Sequence, residues 1–249
     1  MSEPTPRLPP GAPSSAPLGR VALHAVAAGL TPLIPVPFLD DYALYQVREQ
    51  LVRSLLEERG LRASTQAVEA LAGSSLGRTL GGRLASYLKG LMLLPVKKVF
   101  RKVFFVLWVK DCVDVASVSL HHGYLLHHAL ERGDLDALSL QGDKPAAVHA
   151  AIVAACAEVD ARPINQALRR LFASSRVLMA EATRVFRNPG NVGPRTPEPG
   201  EGTEVKSLSE RLLALLWEER GYFTTLETHY ARHLTTPAPP PEMKAASGA

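Results

Sequence analysis

The sequence PVKKVFRKVFFVLWVKDCVDVASVSLHHGYLLHHALERG, from Pro95 to Gly133, decides the fold of this chain. Proline is favoured at the first position of a helix and glycine just past the last one, and the only glycine between them is Gly123. We therefore predict one continuous helix over Pro95–Arg132, the most buried element of its domain. At about 100° per residue, Val103–Val109 is apolar on every side, so it must be enclosed by other helices or lean against lipid.

Hydrophobic periodicity predicts further helices along the rest of the chain. Apolar residues recur every three to four positions, capping residues flank these runs, and no segment shows a convincing strand-like alternation. The predicted helices are Val21–Leu30, Asp40–Arg59, Ser64–Ala72, Arg83–Leu94, Lys144–Asp160, Pro163–Arg187, Ser207–Arg220 and Thr224–His233, with Pro32–Leu39 extended. The fold class is therefore all-α, a multi-helix bundle with one long central helix.

Three of these helices end in the same tripeptide, Glu-Arg-Gly, with the glycines at Gly60, Gly133 and Gly221. Glycine readily adopts the left-handed conformation that ends a helix, and arginine in the last turn complements the negative end of the helix dipole. The flanking sequences differ, so we interpret the tripeptide as shared capping chemistry and not as an internal repeat.

Segments rich in proline, glycine, serine and alanine divide the chain. Such compositions bury too little apolar surface to offset the entropy lost on ordering. We therefore predict disordered tails at residues 1–19 and 235–249 and a flexible linker at residues 188–206. These leave a helical domain at residues 20–187 and a C-terminal helical hairpin at residues 207–234.

One dense cluster of cations precedes the apolar part of the long helix, although the formal net charge is only +4. Basic residues beside apolar ones are typical of a surface that binds anionic lipid, and this pattern does not favour a nucleic-acid partner. The predicted contact set for a membrane or a partner protein is Lys97, Lys98, Phe100, Arg101, Lys102, Phe104 and Trp108.

Cysteine usage and the first apolar run bear on the compartment. Two thiols, Cys112 and Cys156, offer no disulfide framework, which is typical of a reducing cytosol. Val21–Leu39 is uncharged and approaches the roughly 20 residues that cross a bilayer, but three prolines interrupt it. Whether this run inserts in a membrane or packs in the core stays open, as does the oligomeric state. We predict a cytoplasmic protein that can lie peripherally on the inner face of the cell membrane.

Polar residues of the long helix form the best candidate constellation. Lys110, Asp114, Ser117, His121 and His128 fall on one narrow stripe of this helix. Asp and His at this spacing suit a divalent ion or a proton relay. The alternative is an ion pair between Lys110 and Asp114, with the histidines in a polar seam between helices. No companion helix rich in carboxylates supplies further ligands, so we predict no metal site, no cofactor and no enzyme activity.

Two histidines near the C-terminal tail, His229 and His233, are spaced i, i+4, which places both imidazoles on one helical face. A zincin helix carries glutamate directly after the first histidine, and this chain has Tyr230 there. The sequence offers no third ligand, so this pair is also interpreted as surface histidines.

The order of three segments resembles a bacterial helical domain of unknown function that is found beside Era-like GTPase domains or in membrane-associated proteins. The segments are PLIPVPFLDD (Pro32–Asp41), LYQVREQLVRSLLEERGL (Leu44–Leu61) and LKGLMLLP (Leu88–Pro95), followed by a long helix with Ser119 and Gly123. The resemblance covers Gly29 to Gly133 and implies no enzyme activity. That family has a Gly- and Ala-rich apolar hairpin where this chain has VKKVFRKVFF (Val96–Phe105), which favours peripheral binding over insertion.

Together these features predict a non-enzymatic helical protein that associates with an anionic membrane surface or with a partner protein such as a GTPase. Its working parts are the segment Leu33–Leu39 and the basic, then apolar, start of the long helix. The alternatives are a soluble helical scaffold without membrane contact and, more remotely, a metal-dependent enzyme that uses the Asp/His stripe.

Overall fold

The computed structural model describes residues 15–33, 39–73, 100–175 and 201–235, and within these ranges the chain is helical and contains no strand. The helices are α1 (Ser15–Leu30), α2 (Leu39–Glu58), α3 (Thr65–Ala72), α4 (Phe100–Arg132), α5 (Lys144–Glu158), α6 (Arg162–Ala173), α7 (Glu201–Glu218) and α8 (Arg220–Thr235). Short 3-10 turns lie at Thr31–Leu33 and Ser139–Gln141. The predicted all-α bundle is confirmed.

The long helix α4 lies at the centre of the bundle and contacts α1, α2, α5, α6 and α8. It has 33 residues, which corresponds to a length of about 50 Å. It is unbroken from Phe100 to Arg132 and contributes more side chains to the core than any other described helix. The predicted residues Pro95–Val99 and the predicted helix Arg83–Leu94 lie outside the described ranges.

Helix α1 packs against α4 by close contact between small residues. Gly29 of α1 lies against Ala116 and the backbone of Cys112, and Gly123 of α4 lies against Val21. The first apolar run therefore packs in the core as far as it is described, with Val21, Ala22, Ala25, Val26 and Ala28 fully buried.

The proline-containing segment after α1 differs from the predicted extended conformation at both ends. Thr31–Leu33 forms a 3-10 turn that continues directly from α1, and at its start Thr31 Oγ1 donates to the carbonyl of Ala28 at 2.8 Å. At its other end Leu39 already belongs to α2. The intervening residues 34–38 of the predicted working segment Leu33–Leu39 lie outside the described ranges.

The N-terminal boundary of the bundle lies earlier than predicted. Helix α1 begins at Ser15 and includes the buried Pro17, so residues 15–19 do not belong to a disordered tail. Proline is tolerated in the first turn of a helix because the N–H groups there have no intrahelical acceptor.

The boundaries of the C-terminal hairpin also differ from the prediction. Helix α7 begins at Glu201, so residues 201–206 are helical and Ser207, the predicted first residue, lies inside the helix. Acidic residues are favoured in the first turn of a helix, but in the sequence this signal is obscured by the neighbouring prolines and glycines. Helix α8 extends to Thr235. The remaining tail and linker residues lie outside the described ranges.

The hairpin docks on the bundle, with α7 against α1 and α6 and α8 against α5 and α4. Helix α6 ends at Ala173, well before the predicted Arg187. There the hydroxyl of Ser174 donates to the carbonyl of Leu171 at 2.8 Å, and side-chain bonds of this kind compete with helix continuation.

Two of the three Glu-Arg-Gly tripeptides end helices as predicted. Gly60 and Gly133 have φ of +67° and +77°, the left-handed conformation that follows a helix. The prediction for Gly221 is wrong, because this residue lies in the first turn of α8. The carbonyl of Glu219 accepts hydrogen bonds from the amides of Tyr222 and Phe223, so helical bonding resumes directly after α7.

Candidate functional site

The predicted contact set lies at the start of α4. Positions 100, 101, 102, 104 and 108 belong to this helix, whereas Lys97 and Lys98 lie outside the described residues. Positions 100, 104 and 107 follow each other at helical spacing and so share one side of α4. Leu107 is the described side chain on that side, and 48% of it is exposed to solvent.

The same side of α4 stays exposed for several turns beyond Leu107. It continues through Asp111 and Asp114 to Val118, which is 57% exposed. The opposite side turns into the core at Val109, which is 4% exposed. The apolar stretch is therefore not enclosed on all sides: one side packs, and the other presents Leu107 and two carboxylates to the surface.

The polar stripe of α4 divides into two parts that do not converge. Lys110 Nζ and Asp114 Oδ2 form an exposed ion pair at 2.6 Å, as the alternative interpretation predicted. The hydrogen bond to Asp114 raises the pKa of Lys110. Ser117 and His121 are buried further along the helix, so the aspartate and the histidines do not face a common site.

His121 bridges α4 and α8. Its Nδ1 lies 2.6 Å from the carbonyl oxygen of Ser117, and its Nε2 lies 2.6 Å from the hydroxyl of Tyr222. A carbonyl only accepts, so we assign the proton to Nδ1, and Nε2 accepts from the tyrosine hydroxyl. Burial lowers the pKa of His121, which favours the neutral ring. Both nitrogens are occupied, and this arrangement joins two helices without leaving a free general base.

A second link between α4 and α8 centres on Glu227. Its Oε1 accepts from the hydroxyl of Tyr124 at 2.7 Å and lies 3.5 Å from Nδ1 of His128. Burial, followed by the hydrogen bond to Glu227, raises the pKa of Tyr124. Tyr230, also on α8, donates to Asp134 Oδ2 at 3.1 Å. These contacts form the polar seam between helices that the sequence offered as an alternative.

The seam contains residues that the sequence did not identify. Tyr222 precedes the predicted start of the last helix, and Glu227 and Tyr230 carry no motif. A usable signal is the spacing of Phe223, Glu227 and Tyr230, which places all three on one side of α8. Phe223 and Tyr230 are fully buried there.

The histidine pair of α8 meets a carboxylate that the sequence could not reveal. Glu158, the last residue of α5, lies 2.6 Å from His229 Nδ1 through Oε2 and 2.9 Å from His233 Nε2 through Oε1. The guanidinium of Arg232 also contacts Oε2. The hydrogen bond from His229, with the other contacts of this carboxylate, lowers the pKa of Glu158.

This cluster is an ion-pair network and not a metal site, because a guanidinium already neutralises its only carboxylate. Across residues 15–33, 39–73, 100–175 and 201–235, no group of three or more His, Cys, Asp or Glu side chains is placed to hold a metal ion. In the same ranges, no helix combines the length and the apolar character that crossing a bilayer requires.

Fold and site together define an all-helical bundle in which several buried or partly buried polar side chains join one helix to another. No protein-family model, curated protein or solved structure matches this chain.

Proposed function

We propose that this chain is a non-enzymatic helical protein that docks peripherally on an anionic membrane surface through the N-terminal end of α4. The observation that carries the proposal is the exposure of Leu107 on the side of α4 that positions 100 and 104 share. An exposed leucine alone is ordinary, but here it continues an apolar run that follows four cations closely.

Charge along α4 favours docking by the end of the helix over docking by its side. Near an anionic surface each lysine or arginine contributes on the order of 1 kcal/mol. The cations of the contact set precede Leu107, whereas Asp111 follows it on the same side and would be repelled by anionic headgroups. Asp114, one turn further, is already paired with Lys110 and adds no net charge. The first two turns of α4 and the residues before them therefore form the surface that we propose.

The resemblance to a domain found in membrane-associated proteins, and beside Era-like GTPase domains, agrees with this proposal. By the same resemblance, a GTPase partner would contact the chain where it is docked on the membrane. A soluble scaffold without membrane contact is the competing function, and the same experiment separates the two.

The experiment is co-sedimentation with phosphatidylcholine vesicles that contain or lack phosphatidylserine, at low and high salt. We expect binding to vesicles with phosphatidylserine only, and loss of binding as salt shortens the Debye length below about 8 Å. The substitutions Lys97→Gln, Lys98→Gln, Arg101→Gln and Lys102→Gln together should weaken binding by up to about three orders of magnitude, since each cation contributes on the order of 1 kcal/mol.

The matched control removes four exposed cations elsewhere, on α6 and α7: Arg169→Gln, Arg170→Gln, Lys206→Gln and Arg211→Gln. It changes the net charge equally and should bind nearly as the unsubstituted chain does. Equal losses in the two variants would reduce the effect to net charge and contradict a site on α4. Failure of the unsubstituted chain to bind at low salt would favour the soluble scaffold.

A further inference from the structure

Two histidines from different helices hold the end of α3. Nε2 of His122 in α4 lies 2.7 Å from the carbonyl oxygen of Leu71, and Nδ1 of His149 in α5 lies 3.2 Å from the same oxygen. Because that oxygen only accepts, both of these nitrogens carry hydrogen. The two rings lie 5.5 Å apart between centroids.

This shared acceptor belongs to the last turn of α3, where carbonyls have no intrahelical donor. The imidazoles therefore supply the hydrogen bonds that the helix itself lacks. Gly73 follows with φ of +70°, and a Cβ added there would stand 2.4 Å from Cε1 of His149. The ring of His149 thus lies directly against the end of α3. Val68 and Leu71 complete the contact with their buried side chains.

The charges around this histidine pair disfavour a further proton. A proton would have to add at Nδ1 of His122 or at Nε2 of His149, the nitrogens that do not face Leu71. The positive charge that lowers the pKa of both rings is that of Arg48 in α2, a partly buried residue. Glu69, the one acid of α3, adds to the burial that raises the pKa of Tyr45 in α2 and has no resolved effect on the two histidines.

In the described parts of α2, α3, α4 and α5, no carboxylate contributes to the pKa shift of either imidazole. Burial, with the neighbouring ring and Arg48, lowers the pKa of His122 to about 3. Burial also lowers the pKa of His149.

We propose that the pair His122–His149 makes the docking of α3 on α4 and α5 sensitive to acid, so that protonation of the rings releases α3. In the released state both rings reach water and bind protons at their ordinary pKa of 6.5. In the docked state burial opposes the added proton. Each pH unit below 6.5 therefore favours release by up to tenfold for each histidine. Release exposes the apolar side of α3, which carries Val68 and Leu71. It also exposes the surface of α5 against which α3 packs.

Amide hydrogen exchange of the full-length chain, followed by mass spectrometry at pH 7 and pH 5.5, tests this inference. After correction for the intrinsic rate, protection of residues 64–73 should fall by about tenfold for each responding histidine. Protection of α6, which contains no histidine, should stay nearly constant. If α3 and α6 keep the same ratio of protection at both values of pH, the proposal is wrong.

A substitution separates protonation of this pair from general loosening of the bundle. His149→Asn places an amide N–H near the position of Nδ1 but takes up no proton, so the fall in protection of α3 between pH 7 and pH 5.5 should become about tenfold smaller. His128→Asn on α4 is the matched control, because His128 lies against Glu227 and not against Leu71, and it should leave the acid response of α3 unchanged. An acid response that His149→Asn and His128→Asn leave equally unchanged would overturn the role of the pair and the proposal with it.

Discussion

Gly29 of α1 lies directly against the ring of Phe172 in α6: a Cβ added at Gly29 would stand 2.6 Å from Cζ of Phe172. The same Cβ would stand 2.8 Å from Cβ of Ala116 and 3.0 Å from the carbonyl oxygen of Cys112 in α4. Three helices therefore meet at one residue that has no side chain, and the hydrogen of Gly29 sets how closely they approach.

Gly29→Ala should destabilise the chain by about 1–3 kcal/mol, because backbone and buried side chains must shift to make room for the added methyl group. Gly19→Ala in the same helix is the control, since a Cβ there meets nothing within 4 Å. There the better helix propensity of alanine should stabilise the chain by up to about 1 kcal/mol. Urea unfolding measures both. A Gly29→Ala variant as stable as Gly19→Ala would mean that α1 is not packed this closely.

Gly133→Ala should cost about 1 kcal/mol, because φ of +77° forces an alanine into the left-handed region. Gly221→Ala should be neutral or stabilising, because Gly221 lies inside α8 despite its identical Glu-Arg-Gly context. Thermal unfolding of the two variants side by side checks this difference. Equal destabilisation would restore the original interpretation of Gly221 as a helix end.

Tyr222→Phe should destabilise the chain by about 1–2 kcal/mol, because it leaves Nε2 of the buried His121 without a donor. The aromatic ring, and with it most of the packing, is retained. Tyr42→Phe is the matched control: Tyr42 is 59% exposed, and its variant should unfold like the unsubstituted chain. Equal stability of the two variants would show that the hydrogen bond to His121 adds nothing.

Glu158→Gln should lower the melting temperature at neutral pH, and this difference should disappear in acid. The pKa of Glu158 is lower in the folded chain than its ordinary value of 4.5. Its contribution is therefore present above pH 4.5 and is lost as the pH falls through the folded-state pKa. Glu57→Gln provides the control, because Glu57 is an exposed acid in the last turn of α2. A difference that persists unchanged in acid would exclude the ionised carboxylate as its cause.

The fold class could be predicted from the sequence because its signals are local. The unbroken apolar helix after Phe100, the cap at Ser64 and the left-handed glycines Gly60 and Gly133 all depend on residues within a few positions of one another. The helix starts at Ser15 and Glu201 were predicted too late, because the Pro- and Gly-rich composition before them outweighed weaker signals in the helices themselves. The end at Ala173 was also predicted too late, because the helical pattern of the sequence continues past Ser174.

The connections between helices could not be predicted, because they join residues far apart in the sequence. Nothing near His229 and His233 points to Glu158, and nothing near Leu71 points to His122 and His149. The division of the α4 stripe has the same cause. Periodicity places Lys110 and His121 on one side of the helix, but only the docking of α8 decides that His121 is buried against Tyr222.

The sequence by itself therefore determined an all-helical chain with one long central helix and a basic, then apolar, start to that helix. Hydrogen bonds within a helix and the period of its apolar residues are properties of neighbouring positions, so they are already present in the order of the amino acids. The tertiary structure decided which sides of these helices meet, which histidines lose contact with water and which side of α4 leaves Leu107 exposed. Burial and partner choice depend on the packing of all helices at once, and that packing sets the pKa of His122 and the room available at Gly29.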